Sequence, residues 1–186
     1  RMKIIKSNTK LPVIIFPGSS RQISSKADAI LYLSLLSGRN PQYLIGEHIE
    51  SAPIIYSHSI ETIPTGYILL DGGMKTSVEI ISNTNPLPMN KPDIILAHSL
   101  AAQYLGKKII FFECGSGSLK HVHRILISYI CEYINIPIMI GGGINTSDSA
   151  RELVNAGAGY IILGTKIENS KSSDELTEIT NAIHGK

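Results

Sequence analysis

The chain has 186 residues, 43% apolar and 17% charged, with 17 basic against 15 acidic side chains and a net charge of +2. That is enough for one domain with a sizeable core, too apolar for disorder, and too evenly charged, with no basic cluster or aromatic-interleaved patch, for a nucleic-acid binder. Two cysteines, Cys114 and Cys131, give neither a disulfide framework nor metal-ligand spacing, so a reducing cytoplasm is expected; no apolar run is long enough to span a membrane and no signal peptide is expected, although the first residue is Arg1 rather than Met.

In chain order, Met2–Lys6 reads as the tail of a helix. Pro12–Phe16 reads as a buried strand closed by Pro17-Gly18-Ser19. Ser24 or Ser25 caps a predicted helix through Ala27–Leu36, where Ala29, Leu33 and Leu36 share a face. Gln42–Ile45 is a predicted short strand ending at Gly46, and a helix follows over Glu47–Ser59 despite Pro53. Thr65–Leu70 is the next strand, ending at Asp71-Gly72-Gly73, which reads as a turn. Val78–Ile81 makes a small excursion before Pro86, Pro88 and Pro92, and Asp93–Leu105 forms a helix stopped by Gly106. Three strand-and-turn units close the pattern: Lys108–Ile110 into Phe111-Phe112-Glu113-Cys114-Gly115-Ser116-Gly117, Ile136–Ile140 into Gly141-Gly142-Gly143, and Tyr160–Leu163 into Gly164-Thr165. Thr146 or Ser147 caps a helix over Asp148–Ala156 that stops at Gly157, and Glu175–Ile183 is the last helix.

Strands alternating with helices mean α/β with parallel pairing. A dinucleotide-binding sheet would carry G-x-G-x-x-G after its first strand, and that motif is missing. Glycine turns after the last two strands instead match the phosphate-binding end of a (βα)8 TIM-type barrel. Counting back from Gly164, the strands become three to eight. The expected architecture is thus one barrel domain over residues 1–186 that lacks strands one and two, with six parallel strands curved into an incomplete barrel. A flat doubly wound sheet would contradict it.

Glycine turns bring backbone N–H groups to one rim, where they bind phosphate without a Cβ in the way. The helix starting near Thr146 adds its dipole. A β-branched side chain at Gly143 is expected to take the anion's place. The plainer alternative is that Gly141–Gly143 only make a tight turn. Glu113 is the one acidic residue at a strand end beside these turns, and alternation puts it on the same face as Phe111 and opposite Cys114. An inward carboxylate there serves as hydrogen-bond acceptor and general base; the alternative is a structural carboxylate held by a lysine. His121 and His123 lack a metal-ligand companion, Ser116 lacks the G-x-S-x-G elbow, and Cys114 belongs to the packing.

With those residues in view, the chain resembles the geranylgeranylglyceryl phosphate synthase family. The resemblance rests on Leu11–Ser19, Ser24–Ala29, Arg39-Asn40-Pro41, Ile45-Gly46, Ile63–Ile68, Glu113 with Gly115-Ser116-Gly117, Gly141–Ile144 and Gly164-Thr165, in order from Leu11 to Glu168. It implies a barrel prenyltransferase that joins geranylgeranyl diphosphate to sn-glycerol 1-phosphate through an ether bond, with Mg²⁺, in archaeal membrane-lipid synthesis. The Gly-Ser-Gly run fits the archaeal-type branch rather than the heptaprenyl one. The glycerol 1-phosphate site carried over comprises Phe111, Phe112, Glu113, Cys114, Gly115, Ser116 and Gly117, with Gly142, Gly143, Gly164 and Thr165. Phe111 stands where the family commonly has tyrosine. The family's metal ligands follow strands one and two, so none is assigned here. Tyr43, Tyr67 and the Ala27–Leu36 segment become candidates for the lipid groove. A homo-oligomer, dimer or larger, and transient contact with a membrane surface complete the implied picture. The rivals are another phosphate-binding barrel enzyme, such as a phosphosugar isomerase or aldolase, and a non-catalytic truncated barrel. An aldolase needs a Schiff-base lysine inside the barrel, and no strand interior offers an obvious one.

Overall fold

Which α/β arrangement forms is decided by strand order. The computed structural model describes residues 2–170 and 172–185. Its elements are α1 (Met2–Asn8), β1 (Ile14–Ile15), a 3₁₀ turn (Ser20–Gln22), β2 (Ala29–Leu35), a π-helical turn (Gln42–Gly46) running into α2 (Glu47–His58), β3 (Glu61–Leu69), α3 (Ser77–Ser82), α4 (Pro92–Tyr104), β4 (Ile109–Glu113), α5 (Arg124–Cys131), β5 (Ile138–Gly141), α6 (Ser147–Asn155), β6 (Tyr160–Ile162), α7 (Thr165–Asn169) and α8 (Ser173–His184). The six strands pair in the order β1-β2-β3-β4-β5-β6, every pair parallel. A doubly wound sheet reverses direction once, which puts helices on both faces. This order never reverses. Right-handed crossovers taken in one direction leave the helices on one face, and the other face curls inward as in a TIM-type barrel.

The two faces carry separate cores. Outward residues Ile68, Ile110, Phe112, Cys114, Ile138 and Ile140 pack with helix residues such as Ile95, Ala102, Ile127, Ile130 and Leu153. Inward residues Leu31, Leu35, Tyr67, Leu69, Ile109, Phe111 and Met139 form the second cluster. The period-two alternation of strands accounts for both sets. In register, Tyr67 lies opposite Phe111, Leu69 opposite Glu113, and Glu113 opposite Gly141.

Two segments differ from the sequence reading. Residues 29–35 form strand β2 rather than a helix. Ala29, Leu33 and Leu36 do fit a helical face, but Leu31, Leu33 and Leu35 alternate just as well, and both faces of this strand are covered. Residues 42–46 form a π-helical turn rather than a strand; Gly46 ends no strand but continues into α2. The expected number of strands is met because these two errors cancel. The excursion at 78–81 is the helix α3, held by a capping box between Thr76 and Glu79. Thr146 is the cap of α6, in a reciprocal box with Ser149.

Candidate functional site

All six strands point their C-terminal ends to one rim, and the three glycine turns gather there. The turn after β5 has Gly142 at φ +85 and Gly143 at φ +73, and the loop after β4 has Gly115 at φ +96 and Gly117 at φ +73, conformations that favour glycine. Crowding adds a second requirement. A Cβ on Gly142 would lie 2.8 Å from a Glu113 carboxylate oxygen, and one on Gly143 would lie 2.5 Å from the Lys120 carbonyl oxygen. A side chain at Gly143 therefore strikes the 118–121 backbone instead of occupying an anion's place, which corrects the expectation for that position. Gly164 is the opposite case: its φ is −91, and a Cβ there meets nothing within 4 Å. Among the described residues, the backbone N–H groups of Gly142, Gly143, Gly164 and Thr165 make no hydrogen bond to a protein acceptor.

Glu113 ends β4 on the inward face, half-buried, above the fully buried Phe111. Its Oε1 accepts a 2.6 Å hydrogen bond from the Gly115 N–H. None of the salt bridges among the described residues involves it, so the alternative of a carboxylate held by lysine does not describe this residue. Burial pushes its pKa up to about 6, with the Gly115 N–H pulling the other way. A carboxylate near neutrality can exchange a proton with an alcohol. Phe112 and Cys114 are also fully buried, but on the helix side. The structure thus brings Glu113 and the glycine backbones together and leaves the Phe112 and Cys114 side chains out. Burial also pushes the Cys114 thiol up to about 12, which suits packing and not nucleophilic chemistry.

An apolar groove of about 210 Å³ adjoins this polar rim. Tyr43 and Tyr67 line it, as do Leu31, Leu33 and Leu35 of the segment 27–36, here as a strand. Phe16, Val78 and Ile81 also line it and escaped the sequence reading. No local pattern marks them; only the fold brings them together. The groove also touches Ile30 and Tyr32, on the opposite face of β2. It can reach both faces because β1 pairs only with Ala29 and Ile30, so the rest of that edge is open. Phe16, Tyr67 and Phe111 join groove to rim: Tyr67 and Phe111 stack at 5.4 Å, and Phe16 meets them edge-on at 6.0 and 5.3 Å. Burial and the nearby Glu113 both raise the Tyr67 phenol, which stays protonated.

Comparison with known proteins agrees along the whole chain. A family model, PcrB family, matches residues 1–183. The geranylgeranylglyceryl phosphate synthase of Flavobacterium johnsoniae is 48% identical over 165 residues, or 89% of this chain and 68% of that protein. The protein of the same name from Pyrococcus abyssi is 41% identical over 174 residues, or 94% of this chain and 68% of that protein. The crystal structure of (S)-3-O-geranylgeranylglyceryl phosphate synthase from Thermoplasma acidophilum, in complex with its substrate sn-glycerol-1-phosphate, aligns with 100% of this chain and 74% of that one, at 38% identity and a TM-score of 0.94. On these matches the chain belongs to the PcrB family, together with the geranylgeranylglyceryl phosphate synthases.

Proposed function

We propose that this protein is a prenyltransferase that makes an ether bond between geranylgeranyl diphosphate and sn-glycerol 1-phosphate. The observation that carries this reading is the junction at Phe16, Tyr67 and Phe111, with a rim of unpaired N–H groups and a carboxylate on one side and an apolar groove on the other. A phosphate held by the Gly142, Gly143, Gly164 and Thr165 amides would bring the glycerol hydroxyls to Glu113. Phe111, Phe112, Cys114, Gly115, Ser116 and Gly117 shape that site through backbone and packing. In the reaction, the bond from the allylic carbon to the diphosphate oxygen breaks, the 3-hydroxyl oxygen bonds to that carbon, and the hydroxyl proton passes to Glu113. The aromatic cluster lies where positive charge develops on the prenyl carbon. A hydroxyl at position 111 is not needed for that role.

The described residues include no group of three or more histidine, cysteine, aspartate or glutamate side chains able to hold a metal. They supply no all-protein cage for Mg²⁺, and no step above passes through a metal. We propose that the Mg²⁺ implied by the resemblance, which would polarise the departing diphosphate, takes its ligands from outside these 186 residues. The same reading makes the six strands numbers three to eight of one barrel domain. Large apolar residues at the two sheet edges support it: Ile14 is 46% exposed, and Tyr160 is 53% exposed. A cytoplasmic protein, assembled as a dimer or larger and touching membrane surfaces transiently, fits it as well; no helix among the described residues is long and apolar enough to cross a membrane.

The test supplies full-length protein with radiolabelled sn-glycerol 1-phosphate and geranylgeranyl diphosphate. Label moving into the organic phase only when both substrates are present is the expected result. Folded protein that transfers no label, with or without Mg²⁺, would overturn the reading. Among the rivals, an aldolase finds no support inside the sheet, where none of the six strands carries a lysine.

A further inference from the structure

A chain of polar groups with no acidic member runs behind the groove wall. Lys107, just after α4, sends its side chain across the outer face of β3. It passes over Gly66, where a Cβ would lie 2.7 Å from the Ala102 Cβ and within van der Waals contact of the Lys107 Cγ at 3.7 Å. The ammonium donates a 2.6 Å hydrogen bond to the hydroxyl of Ser34 on β2, which is 3% exposed. The His48 Nε2 lies 3.5 Å from the same hydroxyl. Tyr32, also on β2, donates through its hydroxyl to the His48 carbonyl at 2.7 Å, and its ring lies 4.2 Å from the imidazole. Three elements, the α4 end, β2 and α2, thus meet at one buried serine.

The Lys107 ammonium and the imidazole share one hydroxyl. An ammonium only donates, so the Ser34 proton is free to point at an unprotonated Nε2, whereas a protonated ring would place two cations on either side of Ser34. The groups facing the imidazole are Lys107 beyond Ser34, the Tyr32 phenol from β2, and Glu47 beside it on α2. Burial is the largest opposition to a positive charge and Lys107 adds to it, while hydrogen bonding to the Leu33 and Leu44 carbonyls and the charge of Glu47 favour it. The ring's pKa is accordingly lowered, so folding favours the neutral form. The stability it contributes is complete above the ordinary histidine pKa of about 6.5 and is lost as pH falls below it.

Helix α2 also governs the groove. Glu47, His48 and Ser51 line one side, and the strap at residues 17–20 lines another. The strap is tied to that helix, because the Ser20 N–H donates to Glu47 Oε2 at 2.6 Å and the Ser20 hydroxyl to Glu50 Oε2 at 3.1 Å. Gln42 Nε2 donates to both carboxylates, at 3.2 and 3.0 Å.

We propose that His48 is a positioning residue for the apolar groove: with Ser34 and Lys107 its neutral ring seats α2 on the sheet, and protonating it unseats α2 and the strap tied to it. This rests on the prenyltransferase reading only for the identity of the ligand. The test compares full-length wild type with His48→Gln, which can accept the Ser34 proton but cannot titrate. Affinity for geranylgeranyl diphosphate is measured by calorimetry at pH 7.5 and 5.5, and the ratio of wild type to variant is taken at each pH, so that the ligand's own titration cancels. The ratio falls on acidification below the ordinary histidine pKa, as the neutral ring that folding favours is lost. Affinity for glycerol 1-phosphate shows no such change in ratio. Hydrogen exchange at pH 5.5 is faster in wild type than in the variant over residues 17–22 and 47–58, and equal elsewhere. Lys107→Met, which removes the neighbouring cation, reduces the pH effect and covers the case of a misfolded glutamine variant. A flat ratio together with equal exchange overturns the inference. Absence of prenyl diphosphate binding at either pH, with the exchange difference present, overturns the proposed ligand and leaves His48's role standing.

Discussion

The rim over β4, β5 and β6 and the groove over β1, β2 and β3 are built on opposite principles. The rim is mostly main chain. Its shape comes from positive-φ glycines, its donors are amides, and Glu113 is its inward carboxylate. The groove is mostly side chain, assembled from separated segments around 16–23, 30–35, 43–51 and 77–82, with Tyr67 from β3. Backbone donors suit an anion whose geometry never varies, whereas flexible apolar side chains suit a long chain recognised by area. A substitution at the rim should therefore act on the polar substrate or the proton, and one in the groove on the prenyl substrate.

The sharpest test of that division is Glu113→Gln. It keeps the shape and the acceptor for Gly115 but removes the base, so turnover in the radiolabel assay should fall roughly 10²–10⁴-fold. Near-normal turnover would reduce Glu113 to packing and make water or the substrate phosphate the base. Next in size is Gly143→Val, which combines a φ of +73 with a Cβ set against the Lys120 carbonyl. Urea unfolding should show a loss of about 3 kcal/mol. A variant of unchanged stability would mean that the 118–121 loop yields easily.

Glu113→Gln also has a stability arm. The folded-state pKa of about 6 lies above the ordinary carboxylate value of 4.5, so folding favours the protonated form. The resulting penalty is absent below the ordinary carboxylate range and grows as pH rises through about 6. Above pH 7 the glutamine variant should be more stable by about 2 kcal/mol, with no gain at pH 4. Equal stability at both pH values would place the carboxylate in a more polar setting than the one described. The smallest effects come as a crossed pair. Gly164→Ala, whose Cβ enters open space, should raise the KM for glycerol 1-phosphate about tenfold without moving the Tm. Tyr43→Ala should raise the KM for geranylgeranyl diphosphate by a similar factor and leave the other alone. If either variant moved both constants equally, the division between rim and groove would fail.

The rim was readable from the sequence because everything that makes it is local. Glycine turns follow their strands directly, and alternation is enough to send Phe111 and Glu113 one way and Phe112 and Cys114 the other. The groove was readable only in fragments. Tyr43 and Tyr67 were plausible members, but Phe16, Val78 and Ile81 are marked only by tertiary contact. At residues 29–35 two periodicities compete, and neighbours on both faces decide for the strand. Gly143 shows a different limit: a sequence shows that glycine is needed without showing which atom its missing Cβ would strike.

The brevity of β1 has one more consequence. In a closed barrel every strand edge is sealed by its neighbour, and a bound molecule can grow only along the axis. Here one stave stops at Ile15, which leaves a slit in the wall beside Leu31, Leu33 and Leu35. A long ligand can leave sideways through that slit while its reacting head stays over the axis. The length of molecule the protein accepts is then set by the surface beyond the slit, not by the height of the barrel.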